Sequence, residues 1–153
     1  GVGASVAFHI GWPIAIECVD FIYQLSTDYG GDVTSMVTSN EALGAQLTDL
    51  NPGTAFLRAD DQSLIASASL NIDQPNGIAT HTSDLFPDNF GPTALSEAFI
   101  VVNDSLYLVG GTDSATTNAT LPLFITARIK CRVVRLSTKD WMAVAIQSTA
   151  ADN

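Results

Sequence analysis

The segment Leu123–Val133 alternates without interruption. Leu123, Ile125, Ala127, Ile129, Cys131 and Val133 fall on one side of an extended chain. Phe124, Thr126, Arg128, Lys130 and Arg132 fall on the other. A helix would scatter both sets around its axis, so the pattern predicts a β-strand with one face packed and one face in water. Val133-Val134 then breaks the alternation, as a bulge or a strand end does. The three cations stand two residues apart on one face and repel one another unless acids lie beside them. Glu17 and Asp20, in the strand expected at 14–23, are available, although simple alternation points them to opposite faces.

The rest of the chain repeats the style. Short apolar and β-branched runs are cut by Gly, Pro, Asn, Asp, Ser and Thr clusters. Strands are expected at residues 6–10, 14–23, 55–58, 64–70, 98–102, 106–109, 121–136 and 141–147. Pro13 and Pro122 stand at strand starts, where a missing N–H does least damage. Asn103-Asp104-Ser105 predicts a hairpin tip, and Leu136 to Asp140 another tight connection. Thr38 and Glu41 have capping-box spacing. Leu43, Leu47 and Leu50 follow at i, i+4 and i+7, and Asn51-Pro52-Gly53 would end the helix so formed. A shorter helical turn is expected near Thr93, with Leu95 and Ala98 inward. Loops are expected at residues 26–35, 71–91 and 110–118. The middle loop is long enough to carry function or to dock against a neighbour. No βα alternation is present, which disfavours a parallel sheet. The expected fold is therefore all-β: an antiparallel β-sandwich or jelly roll of about eight strands with one or two short helices. It occupies residues 1–153 as a single domain, and the opening Gly1-Val2-Gly3-Ala4-Ser5 suggests a piece of a larger chain.

Charge is segregated. Six Lys and Arg face sixteen Asp and Glu, a formal net charge of −10. Five of the six cations lie in one stretch: Arg128, Lys130, Arg132, Arg135 and Lys139. Either acids on neighbouring strands balance this basic sheet face, or it binds an anionic partner. The overall charge argues against a nucleic-acid partner, because such binding rests on neutralising phosphates. No run approaches the length of about eighteen apolar residues that crosses a membrane.

Catalytic signatures are not found. The sequence has no phosphate-binding loop, dinucleotide fingerprint, nucleophile elbow or H-E-x-x-H. His9 is expected on an edge strand. His81, within Thr80-His81-Thr82-Ser83-Asp84, is expected in an exposed loop, where adjacent residues do not converge as a triad requires. The carboxylates Asp60, Asp61, Asp84 and Asp88 are the donor type that Ca²⁺ takes, as are Asp28 and Asp32, and none follows an EF-hand spacing. Solvated loop acids are the alternative reading. Cys18 and Cys131 belong to no zinc-like cluster; buried free thiols are expected, with a disulfide between them as the alternative. Asn103 and Asn118 head N-x-[ST] sequons. Trp12 and Trp141 are expected as core or interface anchors rather than as sugar-stacking platforms.

In texture, the low-charge, Thr-, Ser- and Asn-rich β composition resembles coat proteins of small non-enveloped RNA viruses. So does the closing run from Leu121 to Leu136. The resemblance implies a shell-forming jelly roll or an outward-facing protruding β-domain. No basic N-terminal arm is present, which favours the protruding kind. The expected function is thus a structural module at the virion surface. It would associate with copies of itself as a dimer or trimer, attach to a host receptor or glycan, and use neither catalysis nor a cofactor. The alternative is a secreted carbohydrate- or ligand-binding β-sandwich assisted by Ca²⁺.

Overall fold

A computed structural model describes residues 2–25, 32–53, 55–83, 99–113, 123–135, 137–139, 141–142 and 145. Among these residues eight strands run in chain order: β1 (Val2–His9), β2 (Ile14–Leu25), β3 (Glu41–Thr48), β4 (Leu64–Asp73), β5 (Ile78–Ser83), β6 (Phe99–Val101), β7 (Ser105–Thr112) and β8 (Leu123–Val133). They form two antiparallel sheets, one in the order β1-β7-β3-β4-β5 and one in the order β6-β2-β8. The expected all-β, sandwich-like fold is the one observed.

The core lies between the sheets. Ile14, Ile16, Val19 and Phe21 of β2 pack on Ala45 and Leu47 of β3, Ala66 and Ala68 of β4, and Leu106 of β7. A second cluster joins Val37, Leu43, Leu70 and Ile72, with Tyr23 against it. Gly110 of β7 sets the spacing on one side. A Cβ there would stand 2.8 Å from Cδ1 of Ile125. β8 therefore lies directly over β7.

Five expectations need correction. Residues 38–50 hold strand β3, not a helix. Glu41, Leu43, Ala45 and Leu47 are buried on alternate positions, and β3 pairs with β4 on one side and β7 on the other. The hydrogen bonds and cover offered by two neighbouring strands override the leucine spacing. Residues 71–83 are not a loop. β4 runs on to Asp73, and a turn over Gln74–Gly77 leads into β5. Gly77 takes the left-handed conformation (φ 65°) and its N–H donates to the Gln74 carbonyl. Residues 55–58 form no strand; a turn follows, with the Asp61 N–H donating to the Arg58 carbonyl at 3.0 Å. Around Trp141 the chain is helical rather than extended, and its N–H donates to the Ser137 carbonyl at 2.9 Å. The turn expected near Thr93 lies outside the described residues.

Asn103-Asp104 is not a hairpin tip either. β6 and β7 belong to different sheets, so the residues between them arch from one layer to the other. Asn103 Nδ2 anchors the arch by donating to the Asp49 carbonyl at 2.9 Å. A 3-10 turn, Val33–Met36, closes the opposite end and is capped by Asp32. The Asp32 carboxylate accepts from the Thr34 hydroxyl and backbone N–H, and these bonds hold its pKa below the ordinary value.

Candidate interaction surface

Three strands cannot cover five. β8 lies over β7, so β1 projects beyond the smaller sheet. In the β1–β7 register, Val6 stands opposite Leu108 and Phe8 opposite Leu106. Directly opposed residues share a face. Leu106 is buried, yet Val6 is 56% exposed and Phe8 is 40% exposed. The apolar side of β1 is thus a shelf continuous with the core but open to water. Trp12 follows β1 and is 72% exposed. Val133, the last residue of β8, pairs with Ile14 at the same end of the sandwich and is also exposed. Large apolar side chains grouped in water mark a binding surface more often than a chance exposure.

Strand β8 carries the expected alternation as far as Ile129. Its inward residues are half-buried and Phe124, Thr126, Arg128 and Lys130 are exposed. Cys131 and Val133, expected to pack, are exposed instead, because the strand end is uncovered. Glu17 and Asp20, expected on opposite faces, both meet the basic face. A register shift between Ile16 and Cys18 inserts one residue into β2 and reverses its alternation. Glu17 Oε1 then accepts from Arg132 Nε at 3.2 Å, and Asp20 stands opposite Arg128. Both partners of the pair are partly exposed, a setting in which an ion pair contributes little to stability. Arg135 and Lys139 are exposed beyond the strand.

The remaining candidates are dispersed. His9 ends β1 and His81 lies on β5, the two opposite edges of the larger sheet. His81 is exposed but is a strand residue rather than a loop one. Its ring meets Tyr23 edge-on, with centroids 5.4 Å apart. Burial of Tyr23 pushes its phenol up to about 12. Asp60 pairs with Arg58 at 3.3 Å, and Asp61 Oδ1 accepts the Ser63 N–H at 2.9 Å. These acids serve the local turn. Among the described residues no three His, Cys, Asp or Glu side chains gather as a metal site would need. Asp28, Asp84, Asp88 and Asn118 lie outside the described residues. Cys18 is half-buried and Cys131 is exposed, both as free thiols. They stand on neighbouring strands one step out of register, with Cys18 opposite Lys130 and Cys131 opposite Ile16. Neither is the buried thiol expected. Trp141 is exposed, so neither tryptophan is a core residue.

One feature escaped sequence reasoning. An open groove of about 650 Å³ crosses the outer face of the larger sheet. Ala42, Gly44, Ser67, Ser69 and Gly111 line it, with Phe56 as a wall. The Phe56 ring reaches over Gly44, where a Cβ would meet its Cζ at 3.0 Å. Gln46 holds this loop down with both ends of its amide: Nε2 donates to the Leu57 carbonyl at 2.8 Å, and Oε1 accepts the Leu57 N–H at 2.7 Å. The clue in the sequence was the run of small residues at alternate positions of β3 and β4.

The described architecture defines an antiparallel β-sandwich whose surface separates an uncharged flank from a basic strand. No family model, curated protein or solved structure matches the chain. No helix among the described residues is long and apolar enough to cross a membrane.

Proposed function

We propose that the protein is a structural module of a self-assembling shell, of the protruding or surface kind found in viral capsid proteins. On this reading it associates with copies of itself and presents loops to a host receptor or glycan at the outside of a particle. The observation that carries it is the exposed apolar side of β1, Val6 and Phe8, with the exposed Trp12 following it, in a molecule of net acidic charge. Net charge of −10 keeps assembled particles apart in solution, while uncharged patches let subunits meet. The reading assigns no catalytic step and no cofactor, and nucleic acid is not its partner. Dispersal of the two histidines to opposite sheet edges supports it. The test is solution mass by light scattering between pH 4.5 and 8, with and without Ca²⁺. A closed oligomer is expected. A strict monomer at high concentration overturns the assembly role.

The groove beside Phe56 favours a second reading, a secreted carbohydrate- or ligand-binding sandwich. An aromatic wall over a floor with Ser67 and Ser69 hydroxyls combines apolar and polar contacts, as small-ligand sites do. Glycan screening with the parent chain and Phe56→Ala separates the two. Glycan binding lost in the variant supports this second reading. A Ca²⁺-raised unfolding midpoint, reversed by chelator, would add the metal-assisted form.

A further inference from the structure

We propose that two copies of the chain join through their β1 strands, antiparallel across a two-fold axis, so that the larger sheets run together as one ten-stranded sheet. The inference rests on the self-association reading and names the surface it uses.

An edge strand is a row of free N–H and C=O groups that will pair with another chain unless something prevents it. Among the described residues the sandwich has four edges: β1 and β5 in the larger sheet, β6 and β8 in the smaller. β6 is only three residues long. β8 carries Arg128, Lys130 and Arg132, which self-pairing would bring close to their like-charged copies. β5 is two residues shorter than β1, sets His81 beside Tyr23 on its inner face, and has one large exposed apolar residue, Ile78, at its first position, where β1 has two on one face. β1 has none of these protections. Its eight residues contain no Lys, Arg, Asp, Glu or Pro, and its register with β7 is unbroken from Val2 to His9. In a molecule of net charge −10, the strand itself brings no carboxylate to a second copy.

The side chains fit a two-fold arrangement. An axis through Val6 sets Val6 against Val6 and Phe8 against Ala4 on the apolar face, so a large side chain meets a small one at each end. On the other face Ser5 meets Ala7. None of these pairs contains a charged residue, and the same axis sets His9 against Gly3. The strand is about 27 Å long at roughly 3.4 Å per residue. That is comparable with the width of a patch of about 800 Å² per partner, the size of an ordinary specific interface. Pairing also covers Val6 and Phe8, which the smaller sheet leaves exposed.

The test is sedimentation equilibrium on the parent chain, on Val6→Lys, on Val6→Glu and on their equimolar mixture. Val6 is exposed, so both variants should fold; circular dichroism checks this. The parent is expected to dimerise. Each variant alone should dissociate with a constant raised roughly tenfold or more, because the axis sets like charges side by side. The mixture should recover the dimer. That recovery requires position 6 of one copy to face position 6 of the other. A parent oligomer that both variants retain overturns β1 pairing and leaves self-association standing. A parent that stays monomeric overturns both. Folded variants that dissociate without recovery on mixing overturn the two-fold register.

Discussion

β1 and β3 are strands of equal length in the same sheet, and they meet opposite ends. β3, Glu41–Thr48, is paired on both sides and its Leu43, Ala45 and Leu47 are sealed beneath the smaller sheet. β1, Val2–His9, is paired on one side and its Val6 and Phe8 stand in water. Hydrophobicity does not separate them, since β1 contains the larger side chain. Position does. A residue joins the core only if another layer covers it, and a three-stranded sheet cannot cover five strands. The uncovered strand is then the one with surface left for a partner.

The strongest way to break this contrast is truncation on both strands. Leu47→Ala should lower unfolding stability by about 2–5 kcal/mol, because the side chain is fully buried and leaves a cavity. Val6→Ala should stay within about 0.5 kcal/mol in dilute, monomeric protein. Equal losses in urea titrations would mean that β1 is covered after all. Next in size, Gln46→Ala removes both bonds to Leu57 and should cost about 1–3 kcal/mol, with loss of any ligand held against Phe56.

A third effect follows alkali. Burial raises the Tyr23 phenol from 10.0 to about 12, so the folded state favours the protonated form. The associated stability is complete below pH 10 and is lost as pH rises through about 12. Unfolding midpoints should therefore fall across that window, and Tyr23→Phe should flatten the fall. The smallest effect belongs to the exposed pair on the basic face. Glu17→Gln should change stability by less than about 1 kcal/mol, and added salt should shrink the difference further. A larger loss in thermal scans would show that the β2 bulge depends on the pair.

Much of the architecture was legible because period-two alternation survives burial on one face. Residues 123–133 announced β8 in this way, and the apolar, β-branched runs at 14–23 and 64–70 announced β2 and β4. β3 was not legible as a strand. Leu43, Ala45 and Leu47 satisfy a period of two, while Leu43, Leu47 and Leu50 satisfy a helical one, and a run this short does not choose between them. Gly44 was the neglected clue, since glycine weakens a helix interior by about 1 kcal/mol. β5 was hidden by its polarity, although Asn76-Gly77 marked the turn before it. The β2 bulge shows only as a change of parity, from Ile14 and Ile16 to Val19 and Phe21, and simple alternation passed over it, so the meeting of Glu17 and Asp20 with the basic strand went unread. The exposure of Val6 and Phe8 is a property of sheet widths, which no single segment encodes.

Asn103 heads a glycan-acceptor sequence, yet its side-chain nitrogen is the group that ties the β6–β7 arch to the Asp49 carbonyl. Sugar transfer replaces one of its two hydrogens, so a modified Asn103 would make the clasp with a single N–H beside a bulky sugar. Should the chain enter a secretory compartment, sugar transfer and folding compete for one group: a chain that folds first offers a nitrogen already engaged, and a chain modified first must close the clasp around the sugar. Speed of folding, rather than the acceptor sequence, then decides which product accumulates.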